Sequence, residues 1–159
     1  MESVTPIKRN KTLQSFSREH HHGLLLCWKI KTGFKKNISA DRIKKYTDWF
    51  WKEHLQPHFE AEEKYLFPLL GSQHEQIIKA VADHLRLEQL FSDQKDIEKS
   101  LTAIAGELET HIRFEERILF NEIERTAGEA DLARAMEAHN TAEFCDDWED
   151  QFWLTGNSL

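Results

Sequence analysis

Two stretches of this chain, HFEAEEKYLF at residues 58–67 and HIRFEERILF at residues 111–120, repeat one arrangement 53 residues apart: His first, Glu fifth and sixth, Leu-Phe ninth and tenth. On a helix, positions i and i+4 differ by about 40° in azimuth and one turn in height, so His58 with Glu62, and His111 with Glu115, each aim an imidazole and a carboxylate at one object. The first pair shares its side with Leu55, Leu66 and Leu69, the second with Leu108 and Ile118, so both face inward. Buried imidazoles and carboxylates without partners cost several kcal/mol each. The fold of this chain must therefore give these groups a compensating centre. A bound cation is the simplest; a pair of buried salt-bridge networks stapling the helices is the alternative.

The surrounding sequence carries the same helical period. Leu13, Phe16, Leu24, Cys27, Ile30 and Phe34 predict a helix from about Thr12 to Lys35. Lys36-Asn37-Ile38-Ser39 interrupts it, and Ser39 or Asp41 can cap a second helix that continues through the first copy to Leu70. Pro57 is expected to kink that helix without ending it, because the periodic residues continue beyond it. After Gly71-Ser72, the residues Ile77, Ile78, Val81, His84, Leu87 and Phe91 predict a short third helix. A cap at Ser92-Asp93 opens a fourth, which takes the second copy with it to about Arg125. Gly128 closes it, and a less regular fifth helix is expected over about Glu129 to Trp153. Only six Gly and three Pro leave little material for anything but helices. Short connections between consecutive helices predict an all-α, antiparallel up-down four-helix bundle over residues 12–154, with the fifth helix against one side or end. A flexible arm at 1–11 and a frayed tail at 155–159 complete the expected organisation.

Each of the first four helices offers an inward His. In EHHHG a helical wheel groups His20 with Phe16, Leu24 and Cys27, sets His21 roughly 100° away beside Leu25 and Trp28, and turns His22 to the opposite side. His20 is the inward reading and His21 its alternative. His84 joins from the third helix. One turn on, Glu88 is a further ligand or an acceptor orienting an imidazole; His54, one turn before His58, is a supporting group or a replacement for His20. Imidazoles from His20, His58, His84 and His111 with carboxylates from Glu62 and Glu115 match a dinuclear metal site, the carboxylates bridging and the imidazoles capping. Iron suits such mixed ligation with open positions, and zinc or manganese are substitutes. Ferritin-like bundles use Glu-x-x-His instead, the reverse order at shorter spacing. His22, His74 and His139 lie outside the pattern and read as surface or interhelix residues. Glu63 and Glu116, about 100° round from the bridging positions, read as orienting, ion-pairing or solvent-facing, and both Leu-Phe pairs as core packing.

SREHHHGLLL, HFEAEEKYLFPLL, ADHLRLEQLF and HIRFEERILF, in that order, resemble the hemerythrin-like, or HHE cation-binding, family over essentially all of residues 13 to 125. The resemblance implies a di-iron centre held by His20 (or His21), His58, Glu62, His84, His111 and Glu115, with Glu62 and Glu115 bridging the irons beside an oxo or hydroxo group. Oxygen-carrying members look different at two places. They place a second His one turn after the third-helix His, where this chain has Glu88, and an Asp five residues after the last His, where this chain has Glu115 at four. The H-HxxxE-H-HxxxE form is more similar to the di-iron domains of bacterial iron-centre repair proteins and iron-sensing regulators, which meet nitric oxide, oxygen or peroxide.

Charge narrows the partners. Against 28 acidic residues stand 21 basic ones, a net −7, with no Lys/Arg stripe to track phosphates, so nucleic acid is not expected. The longest apolar run, Leu24 to Trp28, is too short to span a membrane, and Cys27 and Cys145 form no CxxC, so a reducing, cytoplasmic setting is expected. No general acid or base stands out and the short loops suggest no substrate cleft, so weak peroxidase- or oxidase-like redox activity is the most to expect by way of catalysis. Two functions fit these residues. One is a non-haem di-iron protein that binds or reacts with oxygen, nitric oxide or peroxide in oxidative or nitrosative stress or iron handling. The other is an iron- or oxygen-sensing module acting through a protein partner, with Trp148 and Trp153 as a candidate surface for it or for a homodimer.

Overall fold

A computed structural model describes residue 9 and residues 13–139 and 143–154; the rest of the expected arm and the tail at 155–159 lie outside the described residues. Among the described residues every regular element is helical. Helix α1 spans Gln14–Lys35. Asn37 closes it in the left-handed region at φ 61°, while the Ile38 N–H returns to the Gly33 carbonyl at 2.9 Å, satisfying a carbonyl that the helix end leaves open. Ser39 is the cap of α2 (Ala40–Phe50), its side chain accepting from the Arg42 N–H at 3.3 Å.

Beyond α2 the chain stays helical but not uniformly so. A widened π turn at Trp51–Leu55 leads into α3 (Gln56–Ala61), then a second π turn at Glu62–Leu66 and a 3-10 turn at Phe67–Leu69. At Pro57 the helix continues, as the periodicity predicts. The backbone accommodates the ring by the π turn immediately before it, where the Gln56 N–H reaches back five residues to the Trp51 carbonyl. Helix α4 (Glu75–Ser92) starts later than Ser72 because His74 supplies the cap, its ring accepting from the Gln76 N–H at 3.1 Å. Asp96, not Ser92-Asp93, caps α5 (Ile97–Phe114). The Asp93 carboxylate is occupied in the turn by the Ser100 hydroxyl at 2.6 Å and by the Lys95 and Asp96 N–H groups at 3.2 Å. A third π turn, Glu115–Leu119, joins α5 to α6 (Phe120–Thr126), and α7 covers Glu129–Ala138.

The expected helix to Trp153 stops short. Residues 143–151 carry no helix, and Phe152–Leu154 make one 3-10 turn. The acids that would lie on that helix bind elsewhere: Asp146 accepts from Lys29 at 2.7 Å and from the Tyr46 hydroxyl, and Asp150 takes the Arg42 guanidinium at 2.6–2.7 Å. Asp favours such contacts over a helix interior. Trp153 is buried and Trp148 half-buried beside Tyr46 and Trp49, so neither forms an exposed surface; the exposed tryptophan is Trp28, 51% accessible.

Helix α1 packs mainly on α5, and α5 also meets α4 and α2. At Gly23 the α1–α5 approach is close enough that a Cβ would stand 2.7 Å from Ile112 Cδ1. Two apolar clusters fill the interior, one around Tyr46, Phe50, Leu87 and Leu108, the other around Phe16, Leu66, Phe67 and Phe120. Successive helices enter them in alternating order. The chain passes from the second cluster to the first along α1, back to the second between Ile43 and Phe67, to the first along α4 and to the second again between Leu101 and Ile123. On every crossing the polar groups of interest fall at the junction.

Candidate metal centre

His20, His58, Glu62, His84, His111 and Glu115 are all buried, at 4% exposure or less, and the structure brings them together at that junction. They form two overlapping groups whose candidate ligand atoms lie within 4.8 Å of one another: His20, His58, Glu62 and Glu115, and Glu62, His84, His111 and Glu115. Both carboxylates belong to both groups. Glu62 turns Oε2 to His20 and His58, at 3.3 and 3.1 Å from their Nε2 atoms, and Oε1 to His84 Nε2 at 3.2 Å. Glu115 Oε1 lies 2.9 Å from His20 Nε2 and 3.3 Å from His111 Nε2, with Oε2 3.9 Å from His84 Nε2.

Proximity here is not satisfaction. Nε2 of His58, His84 and His111, Oε1 of Glu62 and Oε2 of Glu115 are buried without a hydrogen-bond partner. Stranding five such atoms at one place would cost several kcal/mol in total at least. The gathering of such atoms within 4.8 Å of one another in each group is what ligation of a cation requires. These groups can hold a metal ion.

Behind each imidazole stands a carboxylate. His20 Nδ1 donates to Glu116 at 2.6 Å, His58 to Glu19 at 2.8 Å, His84 to Glu63 at 2.7 Å and His111 to Asp83 at 3.0 Å. A carboxylate can only accept, so each Nδ1 carries a proton and each Nε2 is directed inward as the prospective ligand atom. The phenyl rings add a second constraint: Phe67 stacks on His84 at 5.5 Å between ring centroids, Phe120 on His20 at 5.1 Å, and Phe59 on His84 at 3.8 Å.

The two copies of the repeat match position by position. In each copy the first residue is an inward His and the fifth a shared carboxylate. The sixth (Glu63, Glu116) and the tenth (Phe67, Phe120) grip one and the same imidazole, which the opposite half supplies (His84, His20). The ninth, Leu66 and Leu119, is fully buried. A π turn begins at the fifth residue of both copies, Glu62–Leu66 and Glu115–Leu119. Sequence reading missed Glu19 and Asp83 as well as the role of the phenylalanines; the visible signal was an acid directly before His20 and again before His84.

Burial alone would discharge these groups, but their neighbours outweigh it. Glu115, Glu116 and Glu62 hold His20 well above the ordinary imidazole range; Glu62 and Glu19 raise His58 to about 9, Glu115 and Asp83 raise His111 to about 9, and Glu62 and Glu63 raise His84. Against the same desolvation, His58, His20 and His84 keep Glu62 well below the usual carboxylate range, and His139 and His58 bring Glu19 to about 2.

The alternatives fall outside the centre. His21 and Glu88 are exposed, and His54 spends Nε2 on the Glu19 carbonyl at 3.1 Å, with burial pushing it down to about 4. His22 packs against His54 and Phe144, and buried His139 stacks on Phe16 and bonds Glu19 at 2.9 Å. Contrary to the expectation of no cleft, a hollow of about 780 Å³ opens beside His58, between Trp49–Tyr65 and the C-terminal segment. No helix among the described residues is long and apolar enough to cross a membrane. Comparisons of the chain with known protein families, curated proteins and solved structures return no match.

Proposed function

We propose that this chain is a hemerythrin-like, non-haem metal protein whose centre holds two ions, iron foremost with zinc or manganese as substitutes, for binding or reacting with oxygen, nitric oxide or peroxide. The observation that carries the reading is the convergence of unpartnered, buried Nε2 and carboxylate oxygen atoms of His58, His84, His111, Glu62 and Glu115. The alternating order in which the helices traverse the two apolar clusters supports an antiparallel up-down four-helix arrangement around it.

Glu62 and Glu115 would bridge the ions, His20 with His58 and His84 with His111 would cap them, and Glu19, Glu63, Asp83 and Glu116 fix the imidazole orientations. Iron held by such nitrogen and oxygen ligands supplies one-electron chemistry and open positions for a small molecule. Phe16, Phe59, Phe67 and Phe120 keep the surroundings apolar, which limits water and restricts access to small ligands. Metal analysis with absorption spectroscopy is the test. About two irons per chain and a charge-transfer band that changes with nitric oxide or peroxide are expected. Absence of any transition metal from protein prepared from its source, with His111→Ala leaving the fold intact, overturns the reading.

One contact favours a second reading, an iron- or oxygen-sensing module. Glu19 accepts from both His58 and His139, tying a candidate ligand to the end of α7. A sensor would lose order at α7 when the metal is removed, and hydrogen exchange confined to that helix would distinguish it.

A further inference from the structure

We propose that the cleft beside His58 is the cation-loading vestibule of the centre, an inference that rests on the metal-binding reading above. Four exposed carboxylates, Glu53, Glu60, Glu143 and Asp147, line it against one fixed cation, Lys64. None of the four has an ion-pair or side-chain hydrogen-bond partner among the described residues. They outnumber the one lysine that lines the same hollow of about 780 Å³ and leave it with an excess of negative charge. The inner wall is His58, 2% exposed, which meets Glu19 of the cleft lining through Nδ1 and turns its unpartnered Nε2 away from the cleft toward Glu62 and the centre, so one residue adjoins both.

A second hollow, of about 400 Å³, reaches His111 from the other side of the centre. It offers no comparable field, because Asp83 pairs with Lys79 at 2.9 Å and Glu107 with Arg86 at 3.0 Å. A cleft with an excess of one sign concentrates counter-ions and accelerates their capture, by roughly 10- to 1,000-fold where its walls are of low dielectric. An acidic cleft favours a divalent cation, disfavours anions, and leaves neutral diatomics unaffected. The geometry thus separates the route of the metal from any demand made by its later ligand.

Co2+ is a suitable probe, since its visible absorption reports binding to nitrogen and oxygen ligands. In the full chain, the quadruple variant Glu53→Gln, Glu60→Gln, Glu143→Gln, Asp147→Asn should load Co2+ about tenfold more slowly at low ionic strength. Final stoichiometry should match the wild type. The deficit should shrink at roughly 0.5 M salt, where screening acts within a few ångströms. A control of equal charge change away from the cleft, Glu75→Gln, Glu88→Gln, Glu98→Gln, Glu129→Gln, should load at nearly the wild-type rate. Equal rates for the two quadruple variants overturn the vestibule, whether both are slow or both are fast. If the cleft variant loses helicity, Glu53→Gln and Glu143→Gln singly, each expected to slow loading, carry the same comparison. A wild-type chain that takes up no Co2+ at all overturns the metal centre itself, an outcome separate from failure of the route.

Discussion

Each candidate imidazole ligand is oriented from behind, by the carboxylate on its Nδ1. Glu116 holds His20 and Glu63 holds His84, so Glu116→Gln and Glu63→Gln should each weaken one metal position more than the other. Loss of an outer carboxylate of this kind costs about 10- to 100-fold in affinity. Chelator competition should therefore show one weakened and one near-normal site per variant, with circular dichroism unchanged. The same pairs set the pH response. With His58 and His111 raised to about 9, protons hold their inward atoms at neutral pH, and His20 and His84 are raised in the same direction. Metal must displace them, so apparent affinity should rise with pH up to about 9 and loading should release protons, measurable by titration in weak buffer. The sign for stability of the chelated chain is opposite. A raised imidazole pKa stabilises fully below the ordinary value and is lost through about 9, so chelated protein should melt at lower temperature at pH 9 than at pH 7. His58, Glu62, His111 and Glu115 were legible because both members of each pair sit on one helix, where spacing fixes direction. Glu19, Asp83 and His139 were not, because their partners lie on other helices and only packing decides which rings they meet.

Helices, as elements, carry information that a wheel drawn at 100° per residue discards. Each copy of the repeat contains a π turn from its fifth to its ninth residue, one residue more per turn than the wheel allows. That extra residue re-aims the side chains after it, among them the tenth, Phe67 or Phe120, which stacks on the imidazole that the opposite half supplies. Deleting Lys64, an exposed residue within the first π turn, should restore regular α-helix and rotate Phe67 by about 100° away from His84. Helix content should persist, with metal stoichiometry falling from two toward one and the remaining ion resisting chelation less. Retention of two tightly held ions would count against the π turn as a positioning device. Helix existence and the cap at Ser39 were readable from period and capping chemistry. The π turns were not, since nothing in the apolar period marks a widened turn. The C-terminal segment misled because Phe144, Trp148 and Phe152 keep a four-residue spacing while Asp146 and Asp150 bind Lys29, Tyr46 and Arg42 instead of lying along a helix.

For the molecule as a whole, the centre lies where all four long helical stretches pass between the two apolar clusters, and each half of it is completed by the other. Glu62 serves the His84 side and Glu115 the His20 side, while Glu63 and Glu116 brace imidazoles across the same divide. The metal pair proposed above would link α1, the 40–69 stretch, α4 and the α5–α6 stretch at once, so it would bind the folded chain and have no equivalent site in the unfolded one. Linkage would then add about 4 kcal/mol of stability for each occupied site at a free metal concentration a thousand times its dissociation constant. Chelation should accordingly lower the melting temperature by several degrees or more in a single cooperative transition, because no helix can lose its ligand without leaving charged partners stranded on the others. Glu115→Gln should reproduce most of that loss even with metal present, since its carboxylate belongs to both groups of ligands. His111→Ala, which touches one group, should leave an intermediate melting temperature, and equal melting temperatures for these two variants would show that the halves are not coupled through a shared carboxylate.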